Sequence, residues 1–110
     1  VKNQITTTAL NNPSFYSAWG EAVRIAREAK HLTQAELAEQ VGLSRTSIVN
    51  VEAGRQGCLL HMALDIAGVV GVPLMELLEI AVAKARDEEI ARLEDRIAAL
   101  KAEKPKRRSS

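Results

Sequence analysis

One cysteine, three prolines and three aromatic rings are all that this chain of 110 residues contains of those types. A lone cysteine excludes an internal disulfide. The longest apolar run, Ile66 to Met75, is far short of the ~20 residues needed to span a bilayer, and no charged-then-apolar leader opens the sequence. The expectation is a soluble protein of a reducing cytoplasm, with no membrane contact. Aromatics make up 3% of the residues while Ala, Leu, Val and charged side chains dominate, a mixture that favours helix over sheet and predicts an all-α fold. Chemistry is equally sparse. No paired carboxylates, nucleophile with a base, or phosphate-cradling glycine loop can be assembled, so no catalytic residue, no cofactor and no enzyme activity are expected. Cys58 and His61 form a C-x-x-H, but His31 is the only other soft donor, short of the four ligands of a structural zinc site. No metal is expected, and Cys58 reads as a small buried hydrophobe.

At this length the chain is one small domain with an extension, able to bury roughly 60–70% of its unfolded surface. Its net charge of +1 conceals an uneven distribution. Residues 1–79 carry six Lys/Arg against eight Asp/Glu, and residues 80–110 carry nine against six. The first part is therefore not globally basic, which counts against tight non-specific binding to nucleic acid.

Residues 1–12, rich in Thr and Asn, have no period and read as a flexible arm. Asn12-Pro13 is a helix start, since Asn accepts a first-turn N–H and proline suits the first helical position. Phe15, Trp19, Ala22, Val23 and Ala26 then recur at three- and four-residue steps, giving a helix that ends near Lys30. Thr33 with Glu36 three residues on makes a capping box, so a second helix begins at Gln34. Leu37, Ala38 and Val41 form its inner stripe, and Gly42 ends it where a left-handed backbone is easily adopted. Ser44 caps a third helix in which Ile48 and Val51 point inward and Arg45, Thr46, Ser47, Val49 and Asn50 stay outside. A fourth helix, Leu60 to Val70, stops at Gly71, and Pro73 starts a fifth in which Leu74, Leu77 and Leu78 can pack on the first.

Residues 20–78 resemble the lambda-repressor-like, Cro-type (XRE) helix-turn-helix family through LTQAELAEQVGLS, TSIVNVEAGRQ and LDIAGVVGVPLMELL. The likeness covers a little over half of the chain and rests on coupled spacing: Ala38 where two helices cross, Gly42 at the turn, Ile48 and Val51 in the core. It implies that the third helix enters the DNA major groove while the second crosses the phosphates. On that reading Arg45, Thr46 and Asn50 read bases, arginine forking onto guanine, asparagine onto adenine, and the threonine methyl meeting a thymine methyl. Gln34, Ser44 and Ser47 are then phosphate ligands, joined by Arg55 in the following loop. For Ser44, capping alone and capping plus a phosphate contact stand about even. Arg27 and Glu52 match family positions where an ion pair clamps the third helix to the first. The segment Gly57-Cys58-Leu59-Leu60 departs from the polar, proline-bearing turn usual in the family, and phosphate contacts there are left open.

Ala83 to Lys104 lacks Gly and Pro and is dense in helix formers, so the fifth helix is expected to run on without a break to Glu103. Within it Ile90, Leu93, Ile97 and Leu100 form a short coiled-coil seam, preceded by Ala83 and Arg86. So short a seam needs the globular part to help it dimerise, or else docks on its own domain. In a parallel pair Glu89 would meet the partner's Glu94 and Arg96 the partner's Lys101, both repulsive, which favours an antiparallel or offset contact. KPKRRSS is broken by Pro105 and reads as a disordered basic tail.

The expected organisation is a flexible arm at 1–12, a five-helix DNA-binding domain at 13–79, a dimerisation helix at 80–103 and the tail at 104–110. Function is expected to be transcription regulation by a homodimer on a palindromic operator, by repression first, in a bacterial or phage setting. The alternative is a protein-interaction module, an antitoxin or adaptor, whose C-terminal helix holds a partner protein and whose DNA binding is secondary. The acidic balance of residues 1–79 supports the alternative; Arg45 and Arg55 oppose it.

Overall fold

The computed structural model describes residues 13–108, with side chains described from Ser14 to Ala102. The expected arm at 1–12, the Asn12 cap and the last two residues of the tail lie outside that range. Five helices follow one another: α1 (Pro13–Ala29), α2 (Gln34–Val41), α3 (Arg45–Glu52), α4 (Leu60–Val70) and α5 (Leu74–Arg108). Among the described residues there is no strand.

The core forms where α1 packs on α3, α4 and α5 and α2 packs on α3 and α4. Val23, Leu37, Ile48, Val51, Ile66 and Leu77 are its largest fully buried side chains, supplied by all five helices. On α1, α3, α4 and α5 the buried residues recur at three- and four-residue steps, so one stripe of each faces inward. Trp19 is 3% exposed, and its indole N–H is buried with no hydrogen-bond partner among the described residues. Cys58 packs partly buried against this core. Burial pushes its thiol up.

Three further features mark the helices. The head, α1 to α4 with the packed start of α5, carries its buried stripe past residue 79. Ala81 and Ala85 continue the buried stripe of Leu77, because residues four apart share a helix face and alanine lets α5 lie close on its neighbour. Lys84 reaches Glu21 of α1 at 2.9 Å, and Arg92 hydrogen-bonds Ser14. The second lies at the far end, where α5 continues through Pro105 to Arg108. Proline removes one intrahelical donor without ending the helix. Finally, Leu60 and Leu64 of α4 are exposed; Ala63, Ile66, Ala67 and Val70 form its buried face.

No single helix among the described residues is long and apolar enough to cross a membrane. The seam residues Ile90, Leu93, Ile97 and Leu100 are all exposed, so the distal part of α5 does not fold back onto the head.

Candidate nucleic-acid interface

Two eight-residue helices build the candidate site, and each is set by its ends. Thr33 Oγ1 accepts the Glu36 N–H at 3.0 Å while Glu36 Oε1 accepts the Thr33 N–H at 2.8 Å, the reciprocal pair that its spacing predicts. Gly42 ends α2 at φ 74°. A Cβ there would meet nothing within 4 Å, so the backbone angle alone calls for glycine. Ser44 Oγ then accepts the Ser47 N–H at 3.0 Å and donates to or accepts from the Ser47 hydroxyl at 3.1 Å. With Ala38 buried where α2 packs on the core and Ile48 and Val51 fully buried, the inner side of α3 is fixed. Its outer side carries Arg45 and Thr46, both exposed, and Ser47, Val49 and Asn50, partly exposed.

A buried ion pair holds this helix against α1. Arg27 Nε donates to Glu52 Oε2 at 2.7 Å and Nη2 donates to Oε1 at 3.0 Å, a two-point fork with side-chain exposures of 9% and 3%. The hydrogen bonds to Glu52 raise the guanidinium above its usual range, against the opposing pull of burial. Arg27 Nη1 also donates to the Leu32 carbonyl at 2.7 Å. One side chain thus ties the end of α3 to the turn that precedes α2. Gln34 joins the cluster, its Nε2 donating to Glu52 Oε1 at 3.0 Å. The residue expected at a phosphate therefore also belongs to the clamp, with one amide N–H engaged and the other not bonded within the described residues.

Two residues that the sequence pattern left unremarked shape the same place. A Cβ on Gly20 would lie 2.3 Å from the Val51 carbonyl oxygen, so α1 can cross the end of α3 this closely only where there is no side chain. Gly54 has φ 78°, and a Cβ there would also strike Ser17 at 2.8 Å. Its left-handed turn lets the Arg55 N–H reach the Asn50 carbonyl at 2.9 Å, a helix-closing bond from the second residue past the cap. The turn also brings the Arg55 guanidinium to Asn50 Oδ1 at 3.3 Å. Asn50 and Arg55, expected at a base and at a phosphate, are neighbours linked by two bonds. A glycine just beyond the last apolar position of α3 was the available signal for Gly54; a glycine inside a helical stripe was the weaker one for Gly20.

Cys58 and His61 do not share a surface: Cys58 packs on the core beside Trp19, and His61 is exposed on α4.

A short helix held from behind by a buried clamp, with an arginine and small polar residues on its free side, defines a helix-turn-helix protein. The helix-turn-helix family model matches residues 23–77, half of the chain, and the chain belongs to that family, in its lambda-repressor-like (XRE) branch. Among solved structures, it resembles the clp gene regulator ClgR from Corynebacterium glutamicum. The identity is 23%, over 76% of this chain and 88% of that one, with a TM-score of 0.70, a likeness of fold. The restriction-modification controller protein C.AhdI from Aeromonas hydrophila is 30% identical over 61% of this chain and 97% of its own, with a TM-score of 0.58. A hypothetical transcription factor from Neisseria is 33% identical over 58% and 74%, with a TM-score of 0.55. A comparison with curated protein sequences finds no significant match. The protein is a DNA-binding regulator.

Proposed function

We propose that the protein represses transcription as a homodimer on a two-fold-symmetric operator, at the chromosome in the cytoplasm of a bacterium or a phage-infected cell. The observation that carries this reading is the free side of α3: Arg45 and Thr46 are exposed on a helix whose other side is locked by the core and the Arg27–Glu52 fork. Arg45, Thr46 and Asn50 read bases in the major groove. Gln34, Ser44, Ser47 and Arg55 hold phosphates on either side and set the register. Arg55, bonded to Asn50, also orients the amide that addresses a base. Positive charge on this side is thin, so one copy binds weakly. Pairing through Ile90, Leu93, Ile97 and Leu100 makes the second half-site an intramolecular event. A bound dimer represses by covering the path of polymerase.

Selection of duplexes from random DNA tests the reading. The expected product is a palindrome whose half-sites are centred ~34 Å apart, about one turn of DNA. Recovery of no enriched sequence, together with capture of a partner protein through α5, would favour the adaptor reading instead.

A further inference from the structure

The seam on the distal part of α5 is half of a longer stripe. Toward the head, Met75, Leu78, Glu79, Val82, Ala83 and Arg86 line an open, mostly apolar groove of about 350 Å³. From Met75 to Leu100 the positions on this side advance by three or four residues at every step, the spacing that keeps side chains on one side of a straight helix. Groove and seam therefore run end to end on one unbroken helix. Met75 is 70% exposed at one end and Leu100 60% at the other. A contiguous apolar stripe of this kind marks an interaction surface. The chain's own seam cannot fill the groove, because both lie on the same rigid helix.

Resting on the homodimer reading, we propose that a second copy lies antiparallel along this stripe, so that the seam of each protomer fills the groove of the other. Groove and seam each cover about 11 residues, or ~16 Å of helix. A reversed copy sets Met75 against the partner's Leu100, Val82 against the partner's Leu93, and Arg86 against the partner's Ile90. One two-fold axis fills both grooves at once, as a closed dimer requires. Charge selects this direction. The stripe contains two charged residues, Glu79 and Arg86, and a parallel pair would press Glu79 on the partner's Glu79 and Arg86 on the partner's Arg86. The antiparallel pair also brings Arg86 to about 4.5 Å along the axis from the partner's Arg86, but it sets Arg86 level with the partner's Glu89, Glu79 beside the partner's Arg96 and Glu76 beside the partner's Lys101, opposite signs in all three.

Charge exchange in the full chain tests the register, read as the dimer dissociation constant by sedimentation equilibrium. Glu79→Arg alone and Arg96→Glu alone each create two like-charge contacts and weaken the dimer about tenfold. The double variant Glu79→Arg/Arg96→Glu restores affinity to near the starting value. Positions 79 and 96 are ~26 Å apart on their own helix, some three Debye lengths at physiological salt, so that rescue is between protomers. Both side chains are exposed, and unchanged circular dichroism of the variants confirms that the fold is intact. A dimer that ignores all three variants, or one in which the double is no better than the singles, overturns the antiparallel register and leaves the homodimer standing. A starting protein that stays monomeric throughout overturns the homodimer itself and this register with it.

Discussion

The head and the distal part of α5 are both helical, and they are helical for different reasons. In the head α2 and α3 have eight residues each, well below the ~12–15 at which an isolated helix becomes even marginally stable in water. They persist because Leu37, Ile48 and Val51 are fully buried and because caps and a buried fork close their ends. From Ala91 to Ala102 every residue of α5 is exposed; that segment is helical by composition, rich in Ala, Leu and Arg. In the first region sequence is spent on holding one surface still. In the second, local preference makes the helix and leaves a surface free for something else.

Breaking the fork should affect the head most. Arg27→Ala leaves the Glu52 carboxylate buried without its cation and should cost about 3–5 kcal/mol in urea unfolding. A loss of a few tenths would mean that core and caps alone fix α3. Gly20→Ala comes next, because its Cβ meets backbone rather than a flexible side chain tip. About 1–3 kcal/mol is expected, with chemical-shift changes spreading into α3. A smaller effect of opposite sign is expected at the turn between α1 and α2. His31 has φ 61°, a left-handed conformation that a side chain disfavours. His31→Gly should raise the stability by about 0.4–1 kcal/mol, since relief of the left-handed strain outweighs the added freedom of the unfolded chain.

The smallest effect belongs to the ion pair that joins the packed start of α5 to α1. The Lys84 ammonium, hydrogen-bonded to Glu21, holds that carboxyl below its usual range, with Arg24 adding to the effect. A carboxylate lowered in the folded state stabilises above the ordinary carboxylate range, and that contribution is lost as pH falls through the lowered value. Both side chains are more than a third exposed, so Lys84→Ala should cost only a few tenths of a kcal/mol near neutral pH. The cost should shrink further in acid. Thermal melts at several pH values would read it.

Much of the head was legible because its devices are local. The Thr33–Glu36 box, Gly42 and the Ser44 cap each depend on residues within four positions of one another, and each is where the spacing placed it. The Arg27–Glu52 fork spans 25 positions and was reached through the family resemblance rather than through periodicity. Gln34 joining that fork and Gly20 beneath Val51 escaped the sequence because each depends on how two helices cross, and the Asn50–Arg55 pair because it depends on the left-handed turn at Gly54. On α5 the alanines concealed the boundary. Ala81 and Ala85 are good helix formers anywhere, and only packing against α1 reveals that they belong to the head. The same packing turns Met75 and Val82 outward and extends a two-heptad seam into a stripe that reaches the start of the helix.

The central claim is that the still surface of the head reads DNA through the exposed side of α3. Its most direct test is the affinity of Arg45→Ala for a selected operator and for the same operator changed at each base pair in turn. Arg45 is exposed, so the melting temperature should not move. Affinity for the operator should fall by about 1–3 kcal/mol, with discrimination lost at one base pair in each half-site and kept at the others. An unchanged preference at every position would contradict the account, because α3 would then not be the element that reads the sequence.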